Sequence, residues 1–179
     1  MKNQRDNERI EDDFYDDDDE DTQKDKYLTF TVGKEDYGIE ICSVTEIIGI
    51  QKITDVPDMP EYVKGVINLR GKVIPVMDVR LRFRMPEREY DDRTCIVVVN
   101  VNGSAVGLVV DTVREVVGIP ANQIELPPEV AQGNLQRYIK GLGKTGEDVK
   151  ILLDVENMVR REHLDSIKSL ADFSQTTNA

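Results

Sequence analysis

Short runs of apolar and β-branched residues, broken by glycine, proline and asparagine, recur from Tyr27 to Leu153. Runs of that length with turn residues between them predict a mainly β protein. Tyr27, Thr29 and Thr31 alternate with Leu28, Phe30 and Val32, which predicts a period-two strand. Gly33–Asp36 reads as a turn and Tyr37–Ile41 as the returning strand. Val44, Ile47 and Ile48 fall at i, i+3 and i+4, so a helical turn and an extended segment are both open there. Ile53–Val56 predicts another short strand, and Pro57 and Pro60 bound the following loop.

The stretch Tyr62–Val79 organises the pattern. Two apolar runs, Val66–Leu69 and Val73–Val76, flank the polar corner Arg70-Gly71-Lys72, as in two strands joined by a tight turn. Such a hairpin projects Asn68, Arg70 and Lys72 from an apolar base. Pro75 cannot donate to a ladder, which predicts an edge position or a bulge. The basic segment Arg80–Arg84 and a polar loop, Met85–Arg93, follow. Thr94–Val101 and Ala105–Val110 predict a hairpin around Asn102-Gly103. Further strands are expected at Val113–Ile119, Asn122–Leu126, Tyr138–Leu142 and Val149–Leu153, with Glu147-Asp148 in the last turn. Val155–Asp165 carries a helical stripe that Asp154 can cap.

The chain also repeats itself. Tyr37–Ile50 overlays Val106–Ile119 without a gap, matching Gly38 with Gly107, Val44 with Val113 and Glu46 with Glu115. Tyr62–Val66 matches Tyr138–Leu142, and Met77–Val79 matches Leu153–Val155, in the same order. Three ordered matches indicate a duplicated unit. Each unit has about five short strands, so closure into two small β-barrels is the economical solution. The two units are expected to be intertwined and to fall roughly at residues 27–90 and 91–155, with the terminal helix to 165 and a frayed tail over 166–179. The groove between them is the natural place for a partner. The first unit has Asn68-Leu69-Arg70-Gly71 where the second has Lys144-Thr145-Gly146, without an arginine. That asymmetry makes Arg70 a candidate for function; asymmetric packing is the other explanation.

Charge sharpens this reading. The chain has 179 residues and a net charge of −12, and residues 1–26 alone supply −7. That segment is expected to be a disordered acidic tail, solvated or else set to tune association with a basic partner or to block a site on its own domain. An acidic chain without tryptophan is unsuited to nucleic-acid binding. No apolar run reaches the ~20 residues of a membrane helix, and no signal peptide opens the chain, so a cytoplasmic protein without direct membrane insertion is expected. Cys42 and Cys95 read as two buried, reduced thiols, with no metal-ligand spacing.

Catalytic chemistry finds no foothold. The single histidine, His163, reads as an exposed helix residue, and Ser43 and Ser104 lack a nearby base. Gly141–Thr145 contains GKT without the spacing of a phosphate loop and reads as a turn. Asp78 and Asp154, at equivalent repeat positions, read as helix caps. No cofactor or metal is implied. Glu46 and Arg70 are opposite charges able to pair within the first unit, which either fixes an interaction surface or forms a surface ion pair of little consequence. Exposed apolar residues over Val44–Ile48 would mark an interaction site.

The segments YGIEICSVTEIIG, YVKGVINLRGKVIPVMDVR, VGLVVDTVREVV and YIKGLGKTGEDVKILLDVENMV resemble, in order, the CheW family of chemotaxis adaptors. The resemblance spans about Tyr27 to Leu164. It implies two SH3-like five-stranded barrels and a non-enzymatic adaptor that couples chemoreceptor tips to the regulatory domain of the histidine kinase CheA. By resemblance, Val44, Glu46, Ile48 and Gly65 lie on the partner-facing surface, and Arg70, beside Asn68, pairs with Glu46. A receptor tip is expected in the groove near Val44, Gly65 and the Val106–Val110 segment, which includes Gly107 and Val109. The alternatives are a CheW-like adaptor of a non-chemotactic pathway and, from another class, a small-ligand-binding barrel.

Overall fold

The computed structural model describes residues 23–127 and 136–159. The acidic block, His163 and most of the expected terminal helix lie outside the described residues. The strands, in chain order, are β1 (Lys26–Val32), β2 (Glu35–Glu40), β3 (Val44–Gly49), β4 (Val63–Leu69), β5 (Lys72–Asp78) and β6 (Cys95–Val101). They continue with β7 (Ser104–Val110), β8 (Thr112–Gly118), β9 (Ile124–Glu125), β10 (Ile139–Thr145) and β11 (Asp148–Leu153). Two one-turn helices, α1 (Val79–Arg82) and α2 (Val155–Met158), follow β5 and β11. Their caps are the predicted ones: Asp78 accepts from the Leu81 N–H at 3.3 Å, and Asp154 from the Asn157 N–H at 3.1 Å.

Two sheets result, ordered β8-β1-β2-β11-β10-β9 and β3-β6-β7-β5-β4. The repeat is visible in the ladders. Hairpins β4–β5 and β10–β11 both shift register one residue before a glycine, Gly65 and Gly141. Each then pairs in parallel with a strand of the other half, β5 with β7 and β11 with β2. The halves 27–90 and 91–155 therefore do not coincide with the two sheets, because each sheet takes strands from both. The exchange happens after β2, where a 3-10 turn at Ile41–Ser43 sends β3 to the other sheet, and after β7, at Asp111.

Three apolar clusters hold this arrangement. The largest lies between the sheets and joins Leu28, Phe30 and Ile39 to Val97, Val99 and Leu108. Ile67, Ile74, Val76, Ile96, Val98 and Val109 fill the interior of the five-stranded sheet, and Tyr27, Ile119 and Leu152 that of the six-stranded one. Each fully buried aliphatic side chain contributes roughly 1.5–3 kcal/mol relative to exposure. Two interiors per sheet explain why β1 is not polar on one side. Thr29 is fully buried, and its hydroxyl donates to the Glu115 carbonyl at 2.8 Å.

Other expectations are resolved or corrected by the ladders. Of the two conformations open to Val44–Ile48, the chain takes the extended one, and Ile47 turns outward. Ile53–Val56 contributes one bridge, Thr54 with Val66, rather than a strand. Pro75 sits at neither an edge nor a bulge. β5 is internal, but its ladder to β7 begins at Val76, so the missing N–H leaves that ladder intact. Gly141–Thr145 is strand, and the turn after it is Gly146-Glu147. Cys42 is exposed on the 3-10 turn and Cys95 half-buried, so neither thiol is fully enclosed.

Candidate interaction surface

The hairpin tip is built by its own side chains. Arg70 and Gly71 both take positive φ, 52° and 85°, and the Asn68 carboxamide accepts the Gly71 N–H at 2.9 Å. The same device recurs at Asn100, Asn102 and Gly103. Asparagine two residues before the left-handed pair thus stabilises each turn. Held this way, Arg70 reaches β3, where Nη1 and Nη2 donate to the two carboxylate oxygens of Glu46 at 2.9 Å. The forked geometry fixes orientation as well as distance. The Arg70 side chain is 74% exposed and that of Glu46 22%. A pair so open contributes only about 0.2–1 kcal/mol to stability.

Its location matters more than its strength. β3 and β4 are the two ends of the five-stranded order. The pair ties β3 to the tip of β4–β5 across that seam. A register shift between Val44 and Glu46 separates the neighbouring apolar residues: Val44 packs on the shared core, Ile48 on the interior of the five-stranded sheet. On the other side of β3, Ile47 is 43% exposed.

The remaining expected surface residues fall elsewhere. Gly65 is buried at φ 143°, and a Cβ there would stand 1.9 Å from the Thr54 carbonyl oxygen. Its role is to let the Thr54 bridge cross β4. Gly107 and Val109 are buried in β7, which lies between β5 and β6 with apolar clusters on both faces. The Val106–Val110 run is therefore interior rather than a groove wall, as a continuous apolar run in a central strand implies. Asn68 is exposed but committed to its turn. The structure thus groups Val44, Glu46, Ile48 and Arg70 near one seam, and leaves Gly65, Gly107 and Val109 as supports.

The second unit offers a direct comparison. Glu115 holds the Glu46 position on β8, and Gly146, at φ 63°, holds the Arg70 position. Glu115 has no ion-pair partner among the described residues. Val116, the counterpart of Ile47, is likewise exposed, at 49%. The apolar exposure on β3 and β8 follows the repeat; the ion pair does not.

Two polar constellations had no signal in the pattern of single segments. Asp111 accepts from Arg80 Nε and Nη2 at 2.8 and 2.7 Å and from the Gly33 N–H at 2.8 Å. Burial alone would raise its pKa, but Arg80, the Gly33 amide and Arg88 outweigh it and hold the carboxyl below the usual range. Arg80 is raised in turn by the same bond. The hint in the sequence was a mismatch, since the repeat aligns Asp111 with Cys42. Second, the Arg82 guanidinium lies between Tyr62 and Tyr138, at 4.2 and 4.8 Å from the ring centroids, and its Nε donates to the Met158 carbonyl at 3.0 Å. Tyr62 and Tyr138 are equivalent in the repeat, so this cation sits where the two units meet. Tyr90 also donates to Asp78 at 2.6 Å; burial, then that bond, raise its pKa.

No group of three or more His, Cys, Asp or Glu side chains among the described residues is placed to hold a metal ion. No helix among them is long and apolar enough to cross a membrane.

Comparison with known proteins agrees with this geometry. Residues 26–163 match the family model described as the CheW-like domain. The chemotaxis protein CheW of Klebsiella aerogenes is 38% identical over 146 residues, covering 82% of this chain and 88% of that protein. The CheW of Treponema pallidum is 32% identical over 147 residues, covering 80% and 86%. The crystal structure of the scaffolding protein TtCheW from Thermoanaerobacter tengcongensis superposes with a TM-score of 0.72 at 34% identity, covering 78% of this chain and 94% of that one.

Proposed function

The chain belongs to the CheW family, and from that premise we propose that it is a non-enzymatic adaptor coupling chemoreceptor tips to the regulatory domain of the histidine kinase CheA. The observation that carries this reading is the forked Arg70–Glu46 pair across the β3–β4 seam. An ion pair so exposed adds little to stability, yet it holds an arginine and a glutamate in fixed orientation beside exposed Ile47. Fixed polar groups around an apolar residue suit protein recognition, in which charge sets register and apolar contact sets residence time.

Mechanistically, simultaneous binding suffices. An adaptor that holds the kinase at one geometry relative to the receptor lets ligand state at the receptor bias kinase activity. The protein then works in the cytoplasm, at membrane-associated arrays reached through its partners. Reconstitution tests this. Kinase activity is measured with receptor-bearing membranes, with and without the full chain. Receptor control of the kinase that appears only when the chain is added supports the adaptor; control that is indifferent to the chain contradicts it.

A further inference from the structure

A cleft of about 350 Å³ opens where α1 meets the 3-10 turn Gln136–Tyr138. Among the described residues its walls carry Arg82, Arg84 and Arg137, with Tyr62, Tyr138 and one acid, Glu61. On a chain of net charge −12, a cleft with three guanidinium groups is an electrostatic exception. Arg82 is the most telling member. One N–H goes to Met158 and its faces to the two tyrosines, and Nη2 is buried with no hydrogen-bond acceptor among the described residues. A half-buried guanidinium with a donor to spare is suited to an anion supplied from outside the described residues. The neighbouring cleft has the opposite character, with Glu40, Asp154 and Glu156 against Lys140.

The chain carries its own complementary anion. Residues Asp16 to Asp21 are six acidic side chains in succession. They precede β1 by four residues. The five to ten residues that tether this run to β1 have an extended reach of about 17–35 Å.

We propose that the acidic run Asp16–Asp21 docks in this arginine-lined cleft, its carboxylates paired with Arg82 and Arg84. The contact is intramolecular and salt-sensitive, and an acidic peptide of similar charge competes for it. Two full-length proteins test it: the native chain, and a variant in which Asp16–Asp21 are changed to Asn and Gln. The probe is a fluorescently labelled synthetic peptide covering residues 11–21, followed by anisotropy at low salt. The neutralised chain is expected to bind the probe at least tenfold more tightly than the native chain, whose cleft is already occupied. Adding Arg84→Gln to the neutralised chain is expected to weaken the probe about tenfold. Arg84 is exposed, so its removal leaves packing intact, and circular dichroism verifies this. Equal binding to the native and neutralised chains would overturn the intramolecular contact. Absence of binding to the neutralised chain, or indifference to Arg84→Gln, would overturn the site.

Discussion

The two hairpins β4–β5 and β10–β11 share a register shift, a glycine crossing and a capped exit, and differ at their tips. One tip carries Arg70, forked onto Glu46; the other carries Gly146, with Glu115 left unpaired among the described residues. What is shared is what two interlocked sheets require. What differs adds little stability, and that is where selection for a partner can act without cost to the fold. We accordingly propose that the first seam faces the partner and that Arg70 organises it.

The largest test of this comparison addresses the shared part. In Gly65→Ala the new methyl meets the Thr54 backbone at a strained φ, whereas in Gly141→Ala it meets chiefly the Ile124 side chain, at 2.6 Å. A backbone carbonyl cannot step aside as a side chain can. Gly65→Ala is expected to cost about 3 kcal/mol or more, and Gly141→Ala about 1–2 kcal/mol. Urea denaturation ranks them; equal costs would mean that the seams are less asymmetric than they look.

Next in size is the Asp111 cluster, which exists at only one of the two repeat positions. Asp111→Asn leaves Arg80 largely buried without its counter-charge and should cost about 2–3 kcal/mol. Because the Asp111 pKa is depressed in the folded chain, its contribution is present above the ordinary carboxylate range and is lost as pH falls through the folded value. Stability should therefore decline below about pH 4, and less steeply in the Asn variant. Unfolding midpoints between neutral and strongly acidic pH test the sign.

Smaller still is the attempt to make the second tip resemble the first. Gly146→Arg places a side chain at φ 63°, a conformation glycine tolerates best, for a loss of about 0.5–1 kcal/mol. A gain in kinase binding by this variant would show that the arginine acts in either unit.

Much of the fold was legible because local signals agreed. β1, β4–β5, β6–β7 and β11 follow from alternation and turn residues, and both aspartate caps from their place in the repeat. Where the intertwined halves exchange strands was not legible, since nothing within Tyr37–Ile50 says that Ile41–Ser43 switches sheets. Of the interaction surface, the Glu46–Arg70 pair was visible as an asymmetry between copies. Gly65, Gly107 and Val109 were misplaced on the surface because a single segment does not reveal that β7 is covered on both faces or that Thr54 crosses Gly65. Asp111, Arg80 and Gly33 come from three distant segments and meet only in the fold.

The most direct measurement is a calorimetric titration of the full chain with the CheA regulatory domain, repeated with Arg70→Ala. The substitution should change the unfolding free energy by less than about 1 kcal/mol. If Arg70 organises the partner-facing seam, binding should nonetheless weaken at least tenfold, with the circular dichroism spectrum unchanged. Binding of Arg70→Ala equal to that of the native chain would contradict the claim and reduce the pair to a surface ion pair without a role in recognition.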